Sequence, residues 1–136
     1  MSTGRRAGWI MGLILCALEL QGELPPSAYK QRQEKAPEAL LIKVRSVDRR
    51  ETNEPKWKAV VFTVQAEVQK VARTATGLVR GGTIEIRYTQ RHYFEPLEGA
   101  GEVPGLIEGQ ICPAYLSRDG QIYTPVAGRF SFATIH

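Results

Sequence analysis

Nucleophilic chemistry by a thiolate needs a cysteine beside a base, and the sequence offers Cys112, within Gly109-Gln110-Ile111-Cys112-Pro113, and the internal histidine His92. The two could meet only if the irregular chain between them folded back, and a lone cysteine at the start of a strand more commonly packs as a small buried hydrophobe. Ser117 and Ser131 lack the glycine-framed elbow that exposes a nucleophilic serine. Gly81-Gly82 has neither the G-x-x-x-x-G-K-[ST] pattern nor a following helix, so it satisfies turn geometry rather than cradling phosphate. Two Cys and two His without C-x-x-C spacing are too few for a zinc site. Glu95, Glu98 and Glu102 share a loop but not the Asp and Asn spacing of an EF-hand. These residues predict no enzyme, no metal and no cofactor.

Binding chemistry is better represented. Lys43, Arg45, Arg87 and Arg91, with Tyr93 and Phe94, mix cations and aromatic rings, the residue types that hold single-stranded nucleic acid. Against this, 18 Lys plus Arg face 14 Asp plus Glu, for a net charge of +4, far from the dense basic character of a strong polyanion binder. Leu97, Val103, Leu106 and Ile107 lie in a Gly-rich loop that could fold over the domain or present apolar area to a protein. Protein contact is therefore the first expectation, and single-stranded nucleic-acid binding the alternative. The strand edge between the first and last strands is a second place where a partner chain could add.

The elements that must carry these residues follow from periodicity. From Ala39, the residues Leu40, Ile42 and Val44 share one side of an extended chain, with Leu41, Lys43 and Arg45 on the other. A polar run from Asp48 to Lys56 reads as a loop. A long second strand follows from Trp57, with Val60, Phe62, Val64, Ala66 and Val68 on one face and Thr63, Gln65, Glu67 and Gln69 on the other. Val71 falls on the wrong parity, so a bulge near Gln69-Lys70 is expected to return it to the core. After a Gly- and Thr-rich loop from Thr74 to Gly82, Ile84, Ile86 and Tyr88 face inward on a third strand, Thr83 to Thr89. Residues 92–110 are irregular. Strands resume at Ile111 to Leu116, turn at Ser117-Arg118-Asp119-Gly120, and continue through Gln121 to Thr124 and Arg129 to Ile135. The expected core is Leu40, Ile42, Val44, Phe62, Val64, Ala66, Val68, Ile84, Ile86 and Tyr88.

The 136 residues, 43% hydrophobic and 24% charged, fit one small domain able to bury a core. Residues 1–22 read as a signal peptide: Arg5 and Arg6 form a basic start, and Ala7 to Leu18 is uncharged and too short to span a bilayer as a helix. Cys16, at the end of this run, raises lipidation as a variant, although Leu15 before it is bulkier than such signals favour. Cleavage near Gly22 would leave Cys112 as the lone cysteine, no internal disulfide, a mildly basic balance and no membrane span. Residues 23–38, polar with prolines at both ends, read as a linker or a short exposed turn of helix.

The order of features Phe62-x-Val64-x-Ala66-x-Val68 with Val71, Leu78-Val79-x-Gly81-Gly82-x-Ile84-x-Ile86-x-Tyr88, Gly109-x-x-x-x-Ala114-Tyr115-Leu116, Gly120-x-x-Tyr123-x-Pro125 and Gly128-x-Phe130-Ser131-Phe132 resembles netrin-like and related OB-fold domains of the bacterial exported type. The resemblance covers roughly residues 39 to 135. It implies an OB-type barrel that mediates protein contacts, and in the inhibitor branch a cysteine-tethered N-terminus that enters a metalloprotease site. No cysteine would lie near the N-terminus left by cleavage at about Gly22, and the paired cysteines of the animal members are missing. The expectation is an all-β, small five- or six-stranded antiparallel OB-like barrel over 39–136. It would be periplasmic or secreted, non-enzymatic, and engaged with a protein partner in the envelope or extracellular space, where export separates it from most nucleic acid.

Overall fold

A computed structural model describes residues 25–53, 55, 57–93 and 103–135; the side chains of residues 57, 92 and 93 lie outside that description. The signal-peptide segment therefore lies outside the described residues. Helix α1 (Pro26–Lys35) precedes strands β1 (Glu38–Asn53), β2 (Trp57–Thr74), β3 (Thr83–Tyr93), β4 (Ile111–Asp119) and β5 (Ile122–Pro125), and a 3-10 turn, Gly128–Phe130, follows. The strands close into a barrel in the order β1-β2-β3-β5-β4. The chain is thus a small all-β, OB-like barrel of five strands. All its pairings are antiparallel except the β3–β5 seam, a parallel contact made at Ile86 and Tyr123.

Alternation fills the barrel. Every residue of the expected core is buried, joined by Val60, Leu106, Cys112, Ala114, Leu116, Tyr123 and Phe132. The pairing register steps from Leu41 opposite Lys70 to Ile42 opposite Val68, which leaves Gln69 as an extra residue in β2. Val71 thereby regains the inward side and packs against the core, as its parity required. A second step leaves Arg45 as the extra residue in β1, between the pairs Val44–Ala66 and Ser46–Gln65.

Four expectations are corrected. The edge between first and last strands is closed, because β1 pairs with β4 from Glu38–Leu116 to Lys43–Ile111. The polar run from Asp48 is not a loop: β1 continues to Asn53, opposite Lys58, and β3 to Tyr93, opposite Trp57. Cross-strand pairing in a three-stranded arm thus holds residues whose polarity alone suggested a turn. The segment from Arg129 is not a sixth strand. Ser131 Oγ accepts from the Ala127 N–H at 3.0 Å and donates to the Gly128 carbonyl at 2.7 Å, closing a turn instead of extending.

The segment expected as a linker or a short exposed turn of helix holds α1, ten residues long and docked by buried side chains. Proline at the first helical position starts it, and Arg73, reaching across from β2, caps its end by donating to the carbonyls of Gln33 and Ala36, both at 2.8 Å. Tyr29 and Gln33, one turn apart, are the buried pair. Tyr29 meets Phe130 edge-on at 5.0 Å, and the Gln33 amide donates to the carbonyls of Phe130 and Ala133 at 2.8 Å each.

Candidate functional site

Residues 103–111 return the chain from the irregular connection to β4, and they separate the apolar candidates by burial. Leu106 is fully buried and Val103 packs half-buried against the core, whereas Ile107 is 61% exposed; Leu97 lies outside the described residues. Leu106 is therefore a core residue rather than a contact residue. Its segment is strapped to β3 by side chains: the Gln90 amide donates to the Val103 carbonyl at 2.7 Å, and the Tyr88 hydroxyl donates to Pro104 O at 3.0 Å and accepts from the Leu106 N–H at 3.1 Å. Gly105 lies flat on the Phe62 ring, where an added Cβ would sit 3.2 Å from two ring carbons. Phe62 in turn stacks on Tyr88, centroids 4.9 Å apart and planes within 7°. Burial pushes the Tyr88 hydroxyl up to about 12.

Beyond the strap the chain surfaces in a pinned turn. Val44 on β1 donates to Gln110 O and accepts from the Gly109 N–H, each at 2.8 Å, and Gln110 N donates to Ile107 O at 3.2 Å. Ile107 and Ile111, 59% exposed, stand at the two ends of this turn; Ile111 is paired with Lys43, and Leu41 with Pro113, on the outward face of β1 and β4. Ile111 escaped the sequence reading as a surface residue. The signal was present, because inward Cys112, Ala114 and Leu116 force Ile111, Pro113 and Tyr115 outward. Among the described residues the third large exposed aliphatic is Val79, in the loop between β2 and β3.

The basic candidates do share one face. By register Lys43, Arg87 and Arg91 lie on the outward side of the β1-β2-β3 sheet, and the bulged Arg45 joins them through its ion pair with Glu67. Acids interrupt them: Arg45 pairs with Glu67, and Arg87 with Glu85 at 2.9 Å. The hydrogen bonds from Arg45 and then Gln69 hold the Glu67 carboxyl below its ordinary value. Tyr93 is placed only by its backbone, opposite Trp57, and Phe94 lies outside the described residues.

Cys112 is buried, and burial pushes its thiol up to about 11, which keeps it neutral and a poor nucleophile near pH 7. Among the described residues no three His, Cys, Asp or Glu side chains gather to hold a metal, and no helix is long and apolar enough to cross a membrane. The least anticipated polar group is Glu38, fully buried, whose carboxyl accepts from the Ala75 N–H at 3.2 Å, the Thr76 N–H at 3.0 Å and the Thr76 hydroxyl at 2.6 Å. Thr76 Oγ1 also meets the Tyr123 hydroxyl at 2.8 Å, joining β1, the β2–β3 loop and β5.

No protein-family model matches this chain, and neither the curated proteins nor the solved structures contain a match.

Proposed function

We propose that the protein is an exported, non-enzymatic barrel that binds a protein partner in the envelope or extracellular space through the turn bearing Ile107 and Ile111. The observation that carries this reading is the placement of two large aliphatic side chains in water on a turn fixed by both backbone bonds of Val44. Holding apolar area rigidly in solvent forgoes its burial on folding, and a partner that covers it recovers that free energy without ordering a loop. Lys43 beside Ile111 supplies a charge at the rim of such a patch. The resemblance to netrin-like domains favours the same role. The alternative, single-stranded nucleic acid on the outward β1-β2-β3 face, is weaker because Glu67 and Glu85 neutralise Arg45 and Arg87.

A photo-crosslinking amino acid placed singly at Ile107, Ile111 and Val79 in the native host tests the reading. Ile107 and Ile111 should give the same crosslinked protein and Val79, which is 67% exposed in the loop between β2 and β3, should not. An identical pattern from all three positions, or none from the first two, rejects it. Intact mass after cell fractionation tests export separately: a species shortened by about 22 residues outside the cytoplasm supports it.

A further inference from the structure

We infer that the outer half of β1, Val47 to Asn53, pairs antiparallel with the same segment of a second copy, making a two-fold dimer through the arm rather than through the Ile107–Ile111 turn. β4 leaves β1 at Lys43, and the Arg45 bulge bends the strand just beyond. From Ser46 to Asn53 the strand is paired on one side only, with β2, among the described residues. An edge of this length presents unpaired N–H and C=O groups at alternate residues. Natural edges are commonly guarded by like charges that repel another copy, but this one carries two acids and two bases in the order Asp48-Arg49-Arg50-Glu51.

The order decides the register. A two-fold axis perpendicular to the sheet keeps each residue on its own face, so only registers in which a residue of one copy meets one of the same parity are allowed. Centring on Arg50 places Arg49 opposite Glu51 of the other copy, twice, on the face that carries Phe62, and Asp48 opposite Thr52, twice, on the outward face. The one like-charge meeting, Arg50 with Arg50, is relieved because each guanidinium already has Asp48 of its own strand at 3.3 Å. The side chains are positioned for this: Arg49 lies over the Phe62 ring at 5.2 Å, and Glu51, though bonded to Lys58 at 2.9 Å, remains more than half exposed. Isologous pairing consumes the edge in both copies, so the assembly closes at two.

Sedimentation equilibrium of the full chain over a range of concentrations should show the mass approaching twice the monomer value. Arg49→Glu should weaken association by about tenfold or more, Glu51→Arg likewise, and the double variant Arg49→Glu/Glu51→Arg should restore it, a rescue that a folding defect would not give. In a Cys16→Ser background, Arg50→Cys should form an intermolecular disulfide on mild oxidation. Opposed Cα atoms across antiparallel strands are about 4.5–5.5 Å apart, inside the roughly 4.4–6.8 Å reach of the bond. A chain that stays monomeric at millimolar concentration, or a dimer indifferent to both single reversals, overturns the inference.

Discussion

The two ends of the barrel are closed by different physics. At one end Phe62, Tyr88 and the strap of Val103 to Leu106 exclude water with stacked rings and aliphatic area. At the other, Glu38, Thr76 and Tyr123 join three elements through hydrogen bonds to a buried carboxyl. Apolar burial has no preferred direction and tolerates exchange of shape, whereas a buried acceptor serves only the donors aimed at it. The aromatic end should therefore respond to volume, and the polar end to chemistry.

Phe62→Ala, which empties the ring site beneath Gly105, should cost most, about 3–5 kcal/mol in urea or thermal unfolding, while Phe62→Leu should cost less than half of that. Glu38→Ala should lose about 3 kcal/mol by orphaning the Ala75 and Thr76 donors. The near-isosteric Glu38→Gln should lose nearly as much, because one of its two acceptors becomes a donor facing a donor. A wild-type-like Glu38→Gln would erase the distinction between the ends. Tyr88→Phe, which strips the strap of its shared hydroxyl, should cost about 1–2 kcal/mol.

The same hydroxyl gives the comparison a pH signature. Cys112 and Tyr88 are neutral at neutral pH and raised in the fold to about 11 and about 12, from 9.0 and 10.0. The unfolded chain thus ionises first, and stability present below pH 9 is lost progressively as pH climbs through 11 and then 12. Tyr88→Phe should flatten the upper part of that decline, and a thiol reagent at pH 8 should reach Cys112 only after denaturation. The smallest effect expected is Gly105→Ala, about 1 kcal/mol, from its new methyl against the Phe62 ring.

The aromatic end was far more legible in sequence than the polar one. Period-two alternation announces Phe62, Tyr88 and the bulge that recovers Val71, because those residues obey a rule that depends only on neighbours along the chain. Gly120, at φ +65°, likewise marks its tight turn locally. Glu38 looks like one more solvated acid until the donors at residues 75 and 76 are brought to it, and α1 docks by Gln33 and Tyr29 rather than by an apolar stripe. The arm was hidden for the same reason: Asp48 to Asn53 hold strand geometry through β2, not through their own propensity. Of the contact candidates, composition could not separate Leu106 from Ile107, since neighbours in a turn take opposite sides of the surface.

Gln33 also sets an order of events during synthesis. Its amide grips carbonyls 97 and 100 residues further along the chain. A ribosome adding about 5–20 residues each second leaves α1 without its dock for roughly 5–20 s. Throughout that interval the nascent chain carries an unlatched first helix. The last barrel strand is complete by Pro125, so all five strands are available to pair before the first helix can be latched.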